Sequence, residues 1–121
     1  MNVDVQPKLP NNLAVLRGFV ARPPVERRLP AGTRVLQFDI VVEGQPTLTS
    51  PVALHHEAAI LDEGDHVIVV GQVVRRFFRT GGSTASRTEV VATEVIKATK
   101  RPSADRAMWR AIEGLLLPAE V

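Results

Sequence analysis

The stretch from residue 12 to residue 40 constrains the fold of this chain more than any other part of its sequence. Two apolar runs, residues 13–21 and 35–42, flank a segment that is rich in Pro, Gly and Arg. Pro23 and Pro24 end the first run. The sequence Pro30-Ala31-Gly32-Thr33 is typical of a tight turn, in which Pro presets φ and Gly tolerates a positive φ. The stretch therefore predicts two strands joined by a basic turn region.

The rest of the chain predicts three further strands and two helical segments. Strands are expected at residues 13–21, 35–43, 48–55, 65–78 and 87–97, and Pro51 indicates that the third of them is short or at an edge. A short helix is expected at residues 56–63, closed by Gly64. Ser103 is the expected N-cap of a helix from Ala104 to about Leu116. Five strands with a short helix between the third and fourth, followed by a C-terminal helix, is the order of an all-β OB-fold barrel.

Chain length and apolar patterning predict one domain with a single core. We divide the chain into an extended N-terminal arm (1–11), an OB-fold domain (12–99), and a linker with a C-terminal amphipathic helix (100–121). Gly18 and Gly71 are expected at bends of the barrel. The first and fourth strands are apolar on both faces, so we expect their outer faces to mediate self-association, as a dimer or a tetramer.

Composition argues against several classes of protein. The chain has no Cys, which excludes disulfides, thiolate metal sites and a Cys nucleophile. It has no apolar run long enough for a membrane span and no signal-peptide pattern, so we expect no membrane association and a cytoplasmic location. Ser50, His55 and Asp62 do not have the spacing of a catalytic triad, and no phosphate-binding loop is present. We therefore expect no enzymatic activity, no cofactor and no metal.

Basic residues are unevenly distributed, although the formal net charge is only +2. Most of them are Arg, and nine of the Arg residues form two clusters. The first consists of Arg17, Arg22, Arg27, Arg28 and Arg34; the second consists of Arg75, Arg76, Arg79 and Arg87. Arg presents a planar fork that suits phosphate and stacks on bases. The clusters indicate either a nucleic-acid surface or a solvated charged face.

The basic turn region also carries a family resemblance. Residues 18–38 resemble the N-terminal signature of bacterial single-stranded DNA-binding proteins, through Gly18, Pro24, Arg27, Pro30, Gly32, Val35 and Phe38. Residues 64–78 and 87–91 resemble two later motifs of the same family. The resemblance implies an OB-fold, usually a homotetramer, that binds single-stranded DNA without sequence preference. The chain also resembles primosomal replication protein B, a dimeric relative.

The resemblance implies roles for particular residues. Phe78 falls where the family has a stacking Trp, and His55 falls where Phe is frequent, so both are candidate base platforms. The nine Arg residues of the two clusters are the candidate phosphate ligands. Pro46 and Thr49 stand where the family has Trp, so two stacking positions are lost. Phe77 is expected on the opposite face of the strand from Phe78. The alternative role of Phe78 is packing in the core, and Phe19 and Phe38 are expected to be packing residues.

The C-terminus departs from the family, because the chain ends in LLLPAEV instead of an acidic tip. We interpret it as a divergent member without the acidic tail or as a truncated chain, whose last helix packs on its own barrel or on a partner. The leading functional hypothesis is sequence-independent single-stranded DNA binding in replication, recombination or repair, with partner proteins of those processes, in a bacterial, nucleoid-associated setting. The alternatives are a primosomal-type protein-interaction factor with weak nucleic-acid binding and an RNA- or tRNA-binding module.

Overall fold

The computed structural model of the protein describes residues 11–56, 59–98 and 101–116, which form six strands and one helix. The predicted mostly β chain with a C-terminal helix is confirmed, but the strand number is six and not five. The elements are β1 (Ala14–Val20), β2 (Val25–Arg28), β3 (Arg34–Val42), β4 (Thr49–His55), β5 (His66–Thr80), β6 (Ser83–Ala98) and α1 (Arg101–Leu116). Residues 1–10 of the predicted N-terminal arm lie outside the described residues.

The strands form one sheet that closes on itself. The order is β1-β5-β6-β4-β3-β2, and β1 pairs a second time, with β3, through Gly18, Phe19 and Val20. Five strands therefore form a ring of pairings, with β2 attached outside β3. Only β4 and β6 run parallel, through three residue pairs, and the other pairs are antiparallel. This arrangement is consistent with an OB-like fold.

The strand missed by the sequence analysis is β2, within the segment interpreted as a turn region. Its four residues are all exposed, so it carries no apolar alternation for a periodicity argument to detect. It pairs with β3 from Val25 opposite Gln37 to Arg28 opposite Arg34. The predicted turn at residues 30–33 is present, since the Gly32 amide donates to the Leu29 carbonyl and Gly32 has a φ of 90°.

The helix predicted at residues 56–63 is contradicted by the described part of that segment, which forms a loop. The described residues of this segment, 56 and 59–63, are not helical. The carbonyls of His56 and Ala59 accept hydrogen bonds from Arg34 Nη1, at 3.3 and 2.7 Å, so a side chain takes acceptors that a helix would use. The loop still closes the end of the ring, because Leu61 belongs to the buried core.

Two glycines allow the ring to close, as the sequence predicted. A Cβ on Gly18 would lie 2.0 Å from the carbonyl oxygen of Val41, and a Cβ on Gly71 would lie 2.2 Å from that of Val91. Both obstacles are backbone atoms and cannot move aside. The β5–β6 register also shifts between Val70 and Gly71. The backbones of neighbouring strands therefore approach closely at both positions, and the sheet is irregular at Gly71.

Helix α1 covers the outer face of β5, one of the two strand faces that were expected to mediate self-association. Val67 and Val69 point into the ring, so Ile68 and Val70 point outward, yet they are 0% and 5% exposed. α1 packs on β5 and β6 and buries Ala104 completely. The apolar face of the helix thus packs on its own sheet. The helix begins at Arg101 and not at Ala104, so Ser103, the expected N-cap, lies in its first turn.

An ion-pair network links α1 to the ring through Arg17. Arg17 Nη1 lies 2.5 Å from Asp105 Oδ1 of α1, and Arg17 Nε lies 2.5 Å from Glu43 Oε2. The same Glu43 oxygen lies 3.2 Å from His66 Nε2. Burial alone would raise the pKa of Glu43, but the His66 hydrogen bond and the Arg17 charge together lower it below its ordinary value of 4.5. The folded state therefore favours the ionised carboxylate.

We predict that Gly71→Ala destabilises the protein by about 2 kcal/mol or more, because the new Cβ collides with a strand backbone that cannot retreat. Urea unfolding followed by circular dichroism measures this change. The control is Gly114→Ala in α1, where nothing lies within 4 Å of the new Cβ. That variant should be more stable by about 1 kcal/mol, since Ala is the better helix former. Equal midpoints for Gly71→Ala and the natural chain would contradict the close approach.

We predict that Glu43→Gln flattens the acid limb of the stability profile. A carboxyl group with a lowered pKa contributes stability above its unfolded pKa, and this contribution is lost as pH falls through the folded pKa. The natural chain should therefore lose stability below about pH 4.5, and the variant should lose less. Urea midpoints between neutral and acidic pH test this. Glu63→Gln, at an exposed position, should keep the natural profile, and an unchanged profile in Glu43→Gln would refute the assignment.

Candidate nucleic-acid interface

One open groove of about 610 Å³ lies on the outside of the ring. Its base comes from β3 and β4, one side from the β2–β3 hairpin and the other from the long β5–β6 hairpin. The lining residues are Arg27, Leu29, Val35, Gln37, Ala53, His55, Arg76, Phe77, Phe78, Arg87 and Glu89. We call this surface the groove.

Strand register arranges the base of the groove. Arg27 of β2 is directly opposite Val35 of β3, and Val35 is directly opposite His55 of β4. Side chains in register on neighbouring strands share a face, so these three form a row across the sheet. Gln37 and Ala53 are paired in the next row on the same face. At the base of the groove, the Arg27 guanidinium therefore lies on one side of the buried Val35 and the His55 imidazole lies on the other.

The β5–β6 hairpin extends beyond the ring. β1 pairs with β5 only as far as Gly71, and β4 pairs with β6 only between Val90 and Ala92. Outside these limits the two strands pair only with each other, through a two-residue turn at Gly81 and Gly82 with φ of 57° and 85°. Two successive positive φ values are the signature of a type I′ hairpin.

A side-chain amide braces the hairpin where it leaves the ring. Asn12 Nδ2 donates to the Val73 carbonyl and the Val73 amide donates to Asn12 Oδ1, both at 2.9 Å. These two hydrogen bonds are of the kind that a residue of a neighbouring strand would make, so β5 is held beyond Gly71 as well. The aromatic residues of the hairpin lie further along, with Phe78 48% exposed and Phe77 68% exposed. Phe78 is therefore not a core residue.

Positive charge dominates the groove, but one cation is neutralised. Arg76 Nε contacts Glu89 Oε1, and Glu89 is only 3% exposed. Arg87 Nη2 lies 4.0 Å from Asp39 Oδ1, a weak contact. Arg27 has no acidic partner in the part of the chain that the structure describes. Exposed guanidinium groups beside exposed rings are the combination that binds phosphates and stacks bases.

The groove brings together five of the residues predicted for the site: Arg27, His55, Arg76, Phe78 and Arg87. The other six lie elsewhere. Arg75 and Arg79 are on the β5–β6 hairpin outside the groove lining, and Arg22 is exposed in the connection between β1 and β2. Arg28 donates to the Gly32 carbonyl at 3.0 Å. Their roles as DNA ligands remain predictions.

Arg17 and Arg34 are held by the protein itself. The hydrogen bond to Asp105 raises the pKa of Arg17, against the effect of burial, with further support from Glu43. Arg34 donates to the Ala59 carbonyl, and its Nε lies 3.2 Å from Glu26 Oε1. Both guanidinium groups thus have protein partners that link parts of the scaffold, and their roles as DNA ligands also remain predictions.

Several groove residues were missed from the sequence. Phe77 was assigned to the opposite face from Phe78, and strand alternation keeps the two side chains on opposite faces, yet both residues contribute to the lining. Gln37 and Glu89 enter through strand register, which no local pattern reveals. Phe38 is buried in the core as expected, whereas Phe19 is half-exposed and stacks on His66 with ring centroids 4.6 Å apart.

Neither a metal cluster nor a membrane helix is found in the described ranges. No three His, Asp or Glu side chains among residues 11–56, 59–98 and 101–116 are grouped as ligands for a metal ion. Within the same ranges no helix has the length and apolar character needed to cross a membrane.

Comparison with known proteins gives a structural likeness only. No protein-family model matches the chain, and no curated protein sequence matches it. A solved structure of a Plasmodium falciparum SSB in complex with ssDNA superposes with a TM-score of 0.62 at 17% identity, covering 75% of this chain and 97% of that chain. At this level of identity the likeness shows the fold, which is that of an SSB-like, OB-like domain.

Proposed function

We propose that the protein binds single-stranded DNA without sequence preference, through the groove, in replication, recombination or repair. The observation that carries this proposal is the placement of the exposed Phe78 ring among Arg27, Arg76 and Arg87 in one open groove. The likeness to an SSB solved with ssDNA supports the proposal at the level of the fold.

The chemistry of the groove fits a flexible polyanion with flat bases. Arg27 and Arg87 offer their forks to phosphate oxygens, while Phe78 and His55 offer ring faces to bases. Each base–ring stack contributes about 1–3 kcal/mol and accepts any base, because every base has a π-face. Gln37 at the base of the groove adds hydrogen-bonding capacity without a fixed pattern of base recognition.

The charge of the groove indicates modest affinity. Three guanidinium groups face the ligand, but Glu89 offsets Arg76. If the three contacted three phosphates, log K would fall with log[salt] with a slope of about −2, using about −0.7 for each phosphate of a single strand. A contribution from only Arg27 and Arg87 would give a slope of about −1.4. Either slope is shallow for a nucleic-acid-binding protein.

We predict that Phe78→Ala weakens binding to oligo-dT at low salt by about 5- to 150-fold, the equivalent of one lost stack. The lone tryptophan, Trp109, lies exposed on α1 and does not line the groove. A suitable reporter is therefore Phe78→Trp combined with Trp109→Phe, whose fluorescence should be quenched when a base stacks on the new ring.

Trp109→Ala is the matched control, since it removes an exposed ring, 66% against 48% for Phe78, from outside the groove and should leave the affinity unchanged. Absence of oligo-dT binding at low salt would overturn the proposal and favour a protein-interaction function of the primosomal accessory type. A strong preference for structured RNA over oligo-dT would instead favour an RNA-binding module.

A further inference from the structure

The projecting β5–β6 hairpin has two faces, and all of its groove-lining residues except Phe77 belong to one of them. Register pairs Arg76 with Arg87 and Phe78 with Ala85, and these residues belong to the groove side. The intervening pairs point to the opposite side, because side chains alternate along a strand and paired residues share a face. We call that side the far face; it consists of Arg75, Phe77, Arg79, Thr84, Ser86 and Thr88.

Every residue of the far face is exposed. Along β5 it presents a cation, a ring and a second cation, and along β6 it presents three hydroxyl groups. No acidic residue occurs anywhere from His66 to Thr88, so neither strand of the hairpin opposes these charges from within the face. The groove side differs, since Glu89 neutralises Arg76 there. The far face is therefore the less compensated of the two basic surfaces.

The ring of Phe77 is already arranged for stacking. The guanidinium carbon of Arg75 lies 5.3 Å from the centroid of the Phe77 ring, and Arg75 Nη2 donates to Ser86 Oγ at 3.0 Å. The hydrogen bond across the hairpin holds the guanidinium near the ring. With 68% of Phe77 exposed, the remainder of the ring is open to a second flat partner.

We propose that the far face is a second binding surface for single-stranded DNA, so that a strand leaving the groove passes around the edge of the hairpin and stacks a base on Phe77. Continuity between the two surfaces supports this path, because Phe77 itself also borders the groove. This inference rests on the proposed function of the groove.

The spacing and chemistry of the far face favour a nucleic-acid strand as its occupant. Arg75 and Arg79 are four residues apart on one strand, or about 13 Å at about 3.3 Å per residue. That distance is the span of about four stacked nucleotides at 3.4 Å each, or of fewer extended ones. The two cations can bind the phosphates on either side of a base while the base stacks on the ring between them. The hydroxyls of Thr84, Ser86 and Thr88 can donate to phosphate oxygens.

The test compares oligo-dT of two lengths, about 6 nucleotides to occupy the groove alone and about 16 nucleotides to reach both surfaces, both within the range of site sizes known for OB-folds. Phe77→Ala and Arg79→Gln should weaken binding of the long oligonucleotide at least fivefold more than binding of the short one. Phe78→Ala should weaken both to a similar degree. Stoichiometric titration should also give fewer nucleotides occluded per protein for Phe77→Ala than for the natural chain.

Controls separate this inference from the proposal it rests on. Trp109→Ala should leave both lengths unaffected, and urea unfolding should give unchanged midpoints for the exposed-site variants. If the natural chain binds both lengths but Phe77→Ala and Arg79→Gln change their affinities equally or not at all, the far-face site is wrong while the groove stands. If the natural chain binds neither length, both are wrong.

Discussion

Backbone-to-backbone contact at Gly18 and Gly71 is the constraint on which the rest of the structure depends. Each glycine lets its strand approach a backbone carbonyl of the neighbouring strand so closely that a Cβ atom would collide with it. Through Gly18, β1 pairs with both β5 and β3, which converts an open sheet into a ring. The ring creates an inside that buries valines and an outside that can carry a groove.

Closure of the ring also leaves some apolar residues pointing outward, and another element must cover them. Ile68 and Val70 face outward on β5, and α1 covers the sheet there. Arg17 ties this helix to β1 and β3 through Asp105 and Glu43. A single Arg cluster in sequence is therefore divided in space: Arg17 and Arg34 have protein partners that link parts of the scaffold, whereas Arg27 faces the groove. Proximity along the chain does not predict which guanidinium groups remain available to a ligand.

Burial also decides which elements can be predicted from the sequence. The apolar runs predicted β1, β3, β4 and β5 to within a few residues, because burial on one or both faces leaves a readable pattern. β2 was missed since all of its residues are exposed. The helix expected after β4 was wrong, since the described residues of that segment, 56 and 59–63, are not helical. Phe78 and His55 were predicted through family resemblance. The roles of Glu89 and Phe77 depend on register and ion pairing, which are non-local.

The amide of Asn12 has a mechanical consequence for the groove. The β5–β6 hairpin projects from the ring. Asn12 hydrogen-bonds the backbone N–H and C=O of Val73, and these bonds set the point beyond which the hairpin can bend. Loss of these two hydrogen bonds would move the pivot back toward Gly71 and lengthen the free arm. A small angular motion there becomes a larger displacement at Phe78. One side of the groove is thus supported by a residue that does not line it.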